Sequence, residues 1–155
     1  MRIFGIVISY WQQGYPYSSA RNEGVNFAIV RAGYSRTKDS QFEIHYANAK
    51  AQGWGVGAYW YMYATSVEGA ILNVIRGKQF EYPVYLDIED PSLQRLGKST
   101  LNAMVTAFGE IMEANGYYFG VYTNKYWYNS IISGAELNKK YDWWLAQWSK
   151  SEPTI

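Results

Sequence analysis

The chain contains no cysteine and a single histidine, His45. Disulfides, thiol nucleophiles and thiolate-bound metals are thereby excluded, as is any metal site built on two or more imidazoles. Charge is also scarce: acidic and basic residues make up 17% of 155 residues, against a usual share of about 25%. The 14 basic and 13 acidic residues leave a net charge of +1, with no like-charged run beyond pairs such as Lys139-Lys140. Nothing here is expected to hold nucleic acid by charge. No apolar run approaches the roughly 20 residues of a membrane span. The stretch 3–8 after Met1-Arg2 suits a buried strand better than the core of a signal peptide. A soluble protein made without a leader, and without membrane insertion, is therefore expected.

What the chain does have is rings and apolar surface. Apolar residues account for 48% of it, and seven Trp, sixteen Tyr and six Phe make it 19% aromatic. A chain of this length buries roughly two-thirds of its unfolded surface as one domain, so residues 1–155 are read as a single unit. Amphipathic rings either pack the edges of a core or line a groove for flat ligands. Near-neutral charge favours sugars over nucleobases as those ligands.

Short apolar runs at 3–9, 26–32, 55–63, 82–88, 118–123 and 141–147 alternate with helical patterns. Near-continuous apolarity suits parallel strands covered on both faces. Ser40 with Glu43 spells a capping box for a helix ending near Gly53, and Thr65 with Glu68 spells a second. A third helix begins near Ser99 and carries Leu101, Met104, Val105, Phe108, Ile111 and Met112 on one stripe, closed by Asn115-Gly116. The order βαβα makes the fold class parallel α/β. Gly53-Trp54-Gly55-Val56-Gly57-Ala58 precedes a strand, where a dinucleotide fingerprint must follow one. A (β/α) barrel is the alternative, short by two of its eight units.

In such folds chemistry collects at the carboxyl ends of the strands. There Val84-Tyr85-Leu86-Asp87-Ile88-Glu89-Asp90 ends an apolar run in three acids. Asp87 and Glu89 face one way on a strand, about 6.6 Å apart at Cα. One of the two is expected to hold a proton near neutral pH. Such a pair suits glycoside hydrolysis, whereas a bare acidic strand end would cap a helix or meet a cation. Asp90 before Pro91 reads as a turn or cap residue. Tyr59, Tyr61 and Tyr63 share one face and Trp60 takes the other, so Tyr61 and Tyr63 are assigned to a groove and Trp60 to helix packing. Arg31 can pair with Asp87 or serve the structure. Asn124 and Gln147 are candidates to bond an acetamido group, and His45 is read as a packing or surface residue.

The segments Gly5-Ile6-Val7-Ile8-Ser9-Tyr10-Trp11-Gln12, Phe27-Ala28-Ile29-Val30-Arg31-Ala32-Gly33-Tyr34, Gly57-Ala58-Tyr59-Trp60-Tyr61, Pro83 to Glu89 and Trp144-Leu145-Ala146-Gln147-Trp148 follow one another along almost the whole chain. As an ordered set they resemble glycoside hydrolase family 25, the Chalaropsis-type lysozymes or N-acetylmuramidases. The resemblance implies an irregular, flattened (β/α) barrel, here incomplete at its C-terminus. It implies cleavage of the β-1,4 bond between N-acetylmuramic acid and N-acetylglucosamine in bacterial peptidoglycan, as in phage endolysins and autolysins. Glu89 would be the general acid, and Asp87 would assist attack by the substrate's own acetamido group, giving retention with no metal or cofactor. Trp11, Arg31, Tyr61, Tyr63, Tyr122, Gln147 and Trp148 would contact the glycan.

Two positions depart from the family pattern. Val7 stands where the family has an aspartate, and the chain stops at Ile155, before the strand that carries a further aspartate. These departures leave a second reading, a wall-glycan-binding module that retains the groove without cleaving, and a third, a hydrolase of chitin-like chains. An unclosed barrel would also expose strand edges to pairing with another chain. Release to the wall would follow lysis, a holin-type route or another secretion pathway.

Overall fold

The computed structural model describes residues 2–63 and 68–146. The described chain runs β1 (Phe4–Ile8), α1 (Tyr17–Asn22), β2 (Val25–Tyr34), β3 (Thr37–Lys38), α2 (Phe42–Ala51), β4 (Gly55–Tyr61), α3 (Glu68–Ile75), β5 (Val84–Asp87), α4 (Lys98–Ala114), β6 (Phe119–Asn124), α5 (Gly134–Leu137) and β7 (Asp142–Ala146). The long strands stand side by side in the order β1-β2-β4-β5-β6-β7, every neighbouring pair parallel. The sheet is thus wound in one direction and curls into a half-barrel. No helix of the described residues is long and apolar enough to cross a membrane.

Alternation along each strand separates two environments. Outward, Ala28 and Val30 of β2, Val56 and Trp60 of β4, Leu86 of β5 and Val121 of β6 meet Phe42 of α2, Ile71 and Ile75 of α3, and Leu101, Val105, Phe108 and Met112 of α4 in one buried cluster. Each large side chain fully buried there contributes about 1.5–3 kcal/mol. Inward, aromatic residues fill the half-barrel because glycines make room for them. A Cβ at Gly5 would lie 2.2 Å from the Phe27 ring, and one at Gly120 would lie 2.6 Å from Tyr85.

The six predicted strands are present, and Trp60 is fully buried on the helix side. The capping box at Ser40 and Glu43 does not form. α2 starts after Gln41 with no capping side chain of its own. Asp39 supplies the acceptor instead, taking the Gln41 backbone N–H at 2.8 Å, while Glu43 pairs with Lys38 and Lys78. Gly53 and Gly116 close α2 and α4 with φ of +74° and +83°, the left-handed geometry that favours glycine. Ile111 belongs to the predicted stripe of α4 yet is exposed, since the contact face is narrower than the stripe. Thr65 lies outside the described residues.

The half-barrel's connections were not legible in the periodicity. They include the short β3, antiparallel to β2, 3-10 turns at Tyr10–Gln12 and Pro91–Leu96, and a π turn at Trp127–Ile131. Ser9 and Gln12 build a capping box around the first of these.

Candidate active site

β5 ends at Asp87, in register with Tyr61 of β4 and Tyr122 of β6. All three side chains therefore project on the inner side of the half-barrel. Asp87 lies in the wall of a cavity of about 380 Å³ shared with Val7, Tyr59, Tyr122 and Trp144. It is only 5% exposed, and among the described residues no donor reaches its buried Oδ1. Burial foremost, then the negative charge of Glu89, pushes the Asp87 carboxyl up to about 8, with Arg31 pulling the other way. An acid this dry stays neutral at pH 7.

Glu89 lies two residues beyond the end of β5, half-buried. It is not part of the Asp87 cavity wall. Asn124 Nδ2 donates to its Oε2 across a long 3.4 Å, and the Trp127 backbone N–H fixes Asn124 by donating to its Oδ1 at 3.0 Å. The charges of Glu89 and Asp87 both act on Tyr122, whose phenol burial pushes up to about 12.

A second cavity of about 590 Å³ adjoins the first along β2 and β4, with Tyr10, Trp11, Arg31, Tyr34, Tyr61 and Tyr63 in its wall. A register shift after Arg31 brings Tyr34 beneath the guanidinium, 5.0 Å from ring centroid to Cζ, and into a stack with Tyr63. Arg31 Nε donates to Asp39 at 2.7 Å. Asp39, fully buried, also accepts the Tyr10 backbone N–H at 3.0 Å. Arg31 is in register with Tyr59 of the first cavity, and its positive charge acts on Tyr59 as well as on Asp87. Tyr61 donates its hydroxyl to Asp90, and burial followed by that bond raises the phenol's pKa.

The structure thus brings Asp87, Tyr122, Tyr61, Tyr63, Trp11 and Arg31 to the strand ends in two adjoining hollows. Gln147 and Trp148 lie outside the described residues. The ion-pair partner of Arg31 is Asp39 and not Asp87. Asn124 faces Glu89. His45 is buried, its Nδ1 bonded to the Tyr17 hydroxyl and its Nε2 donating to the Ser9 carbonyl at 2.9 Å, so it is a packing residue away from the surface. Sequence reasoning missed Tyr59, Trp144 and Asp39. The alternation that selected Tyr61 already contained Tyr59. Among the described residues no three His, Asp or Glu side chains gather as metal ligands.

A parallel sheet wound in one direction, with a dry carboxyl and aromatic walls at its strand ends, defines a domain of the (β/α)-barrel class. The chain belongs to glycosyl hydrolases family 25, whose pattern matches residues 6–155. It is 28% identical to Lysozyme M1 of Streptomyces globisporus over 166 aligned positions, covering 97% of this chain and 56% of that protein. It therefore spans little more than half the length of that relative. Two solved structures superpose with a TM-score of 0.84. One is a family GH25 lysozyme from Aspergillus fumigatus, 27% identical, with 97% of this chain and 79% of that one covered. The other is a bacterial lysozyme from Streptomyces coelicolor, 25% identical, with 100% and 78% covered.

Proposed function

We propose that the chain is a peptidoglycan hydrolase that cleaves the β-1,4 bond between N-acetylmuramic acid and N-acetylglucosamine, acting on glycan strands at the bacterial wall. The observation that carries this is the buried, unpartnered Asp87 oxygen in an aromatic-walled cavity, close enough to Glu89 to feel its charge. In the empty site the proton of the pair sits on Asp87, where burial favours it. An acetamido N–H donated to Asp87 stabilises the ionised form, and the proton then belongs to Glu89.

Glu89 gives that proton to the leaving oxygen as the glycosidic bond breaks, and the acetamido carbonyl oxygen bonds to the anomeric carbon. The ionised Asp87 stabilises the positive charge of the resulting ring. Water then attacks the same carbon, returns a proton to Glu89 and restores the acetamido group, with net retention. Tyr122 and Trp144 wall the reacting sugar, and Tyr61, Tyr63 and Trp11 extend the groove, with Gln147 and Trp148 as further contacts. Among the described residues β1 and β7 stand at the two ends of the sheet, and their edges offer pairing to a second copy.

The reading is tested by digesting purified walls and identifying the new reducing sugar. N-acetylmuramic acid at that end supports it; N-acetylglucosamine there overturns it. One observation favours a non-cleaving glycan-binding module: Val7 gives the cavity wall an apolar surface beside Asp87. Wall binding with no reducing ends released at any pH is the result that selects this second reading.

A further inference from the structure

The chemistry assigned to Asp87 and Glu89 uses only the acetamido group, which both amino sugars of the strand carry, so it cannot tell them apart. The larger cavity can. Its one inward guanidinium, Arg31, is held on two sides, with Nε on Asp39 at 2.7 Å and its face on Tyr34. A guanidinium has five N–H donors in a rigid fork, and the side chain keeps 15% of its surface exposed where the cavity meets it. Lys38, Thr37 and Ser40 add an ammonium and two hydroxyls. Lys38 is engaged with Glu43 at the surface, an exposed pairing of little strength. Arg31 and Lys38 against Asp39 leave the lining with a positive excess. At the rim stand Trp11, 76% exposed, and Tyr63, 43% exposed.

A hollow with a fixed guanidinium inside and bare rings at the rim suits an arm with an apolar stem and a carboxylate tip. The two sugars differ in that respect: N-acetylmuramic acid bears a lactyl ether whose carboxyl is free on a bare strand or extended by a peptide with carboxylates of its own. We propose that the cavity around Arg31 receives the carboxylate-bearing arm of the sugar held at Asp87, with Arg31 as the carboxylate's partner and Trp11 and Tyr63 flanking the stem. The proposal rests on the peptidoglycan reading above and makes Arg31 the residue that separates wall glycan from chitin-like chains.

The test is calorimetric binding to the full chain carrying Glu89→Gln, with four strands of equal length: a bare alternating strand, the same strand with peptides, the bare strand with its carboxylates methyl-esterified, and an N-acetylglucosamine oligomer. Carboxylate-bearing strands are expected to bind ten- to hundredfold tighter than the last two, in keeping with a charge-assisted bond. Preference for the bare strand assigns the lactyl carboxylate, and preference confined to the peptide strand assigns the peptide's. Arg31→Gln should collapse the preference to near unity, and Arg31→Lys should retain part of it. Since Arg31→Gln leaves Asp39 buried without its cation, the ester comparison on the unaltered cavity decides the matter if that variant fails to fold. Equal affinity for all four strands, or a preference that survives esterification, overturns the proposal while leaving wall hydrolysis standing. No binding to any strand overturns both.

Discussion

The Tyr61 hydroxyl donates to Asp90 Oδ2 at 2.9 Å, tying the end of β4 to the turn that follows β5. The same carboxylate caps that turn through the Ser92 backbone N–H at 3.0 Å. These bonds from Ser92 and Tyr61 outweigh burial and hold the Asp90 carboxyl below the usual carboxylate range. One side chain thus positions a groove ring and starts a helical turn.

Asp90→Ala should lower stability by about 1–2 kcal/mol, the usual cost of a lost cap, and raise KM by releasing Tyr61. Asp90→Asn keeps the Oδ1 acceptor for Ser92 and sets an amide N–H against Tyr61, whose hydroxyl can accept from it, so most of each loss should be recovered. Thermal melts together with steady-state kinetics on soluble wall fragments check the pair of variants. Equal KM for the alanine and asparagine variants would contradict the link to Tyr61.

Asp87 carries a cost that depends on pH. Its carboxyl titrates near 8 in the folded protein and near 3.9 unfolded. Below about pH 4 both states are protonated and nothing is lost. As pH rises towards 8 the unfolded chain ionises first, so folded stability declines, by about 1.4 kcal/mol for each unit traversed. Asp87→Asn should therefore melt higher than the parent at pH 8 by an amount worth a few kcal/mol, with the difference closing near pH 4. Parallel melting curves across that range check it.

The same ionisation should appear in catalysis. The pair holds one proton in the free enzyme, on Asp87, and once that proton is lost none is left for Glu89 to give; kcat/KM should therefore fall as pH rises through about 8, because that ratio reports groups of the free enzyme. Asp87→Asn should flatten this limb and depress kcat. Val7→Asp places a like charge in the cavity wall beside Asp87 and should move the limb to higher pH. A limb unmoved by either substitution would contradict the role given to Asp87.

Gly120→Ala probes the filled interior. Its Cβ would meet the Tyr85 ring at 2.6 Å, and Tyr85 packs edge-on against Trp144, 5.6 Å between centroids. A loss of about 1–3 kcal/mol, the usual range for overpacking, is expected in denaturant titration, together with weaker glycan binding through the displaced Trp144.

Much of this was legible in the sequence because parallel strands covered on both faces leave long apolar runs, and because a two-residue period brings Asp87 to the inner side and sets Tyr61 apart from Trp60. The connections were less legible. A turn such as Tyr10–Gln12 is too short to show periodicity, and the Ser40/Glu43 motif misled because Asp39 caps α2 from one residue earlier. The role of Asp39 was hidden for a similar reason: its link to Arg31 depends on the short hairpin of β2 and β3, a tertiary event that no local spacing announces. Nor does alternation tell which of the two acids is the drier; the cavity around Asp87 decides that.

The most direct test is reducing-end release from purified bacterial walls by the parent chain and by Glu89→Gln, each first shown to bind the walls. The parent should release reducing ends, and the variant should bind equally well yet release them at least a hundredfold more slowly, as loss of a general acid implies. Equal release by the two proteins would contradict the assignment of Glu89 as the acid.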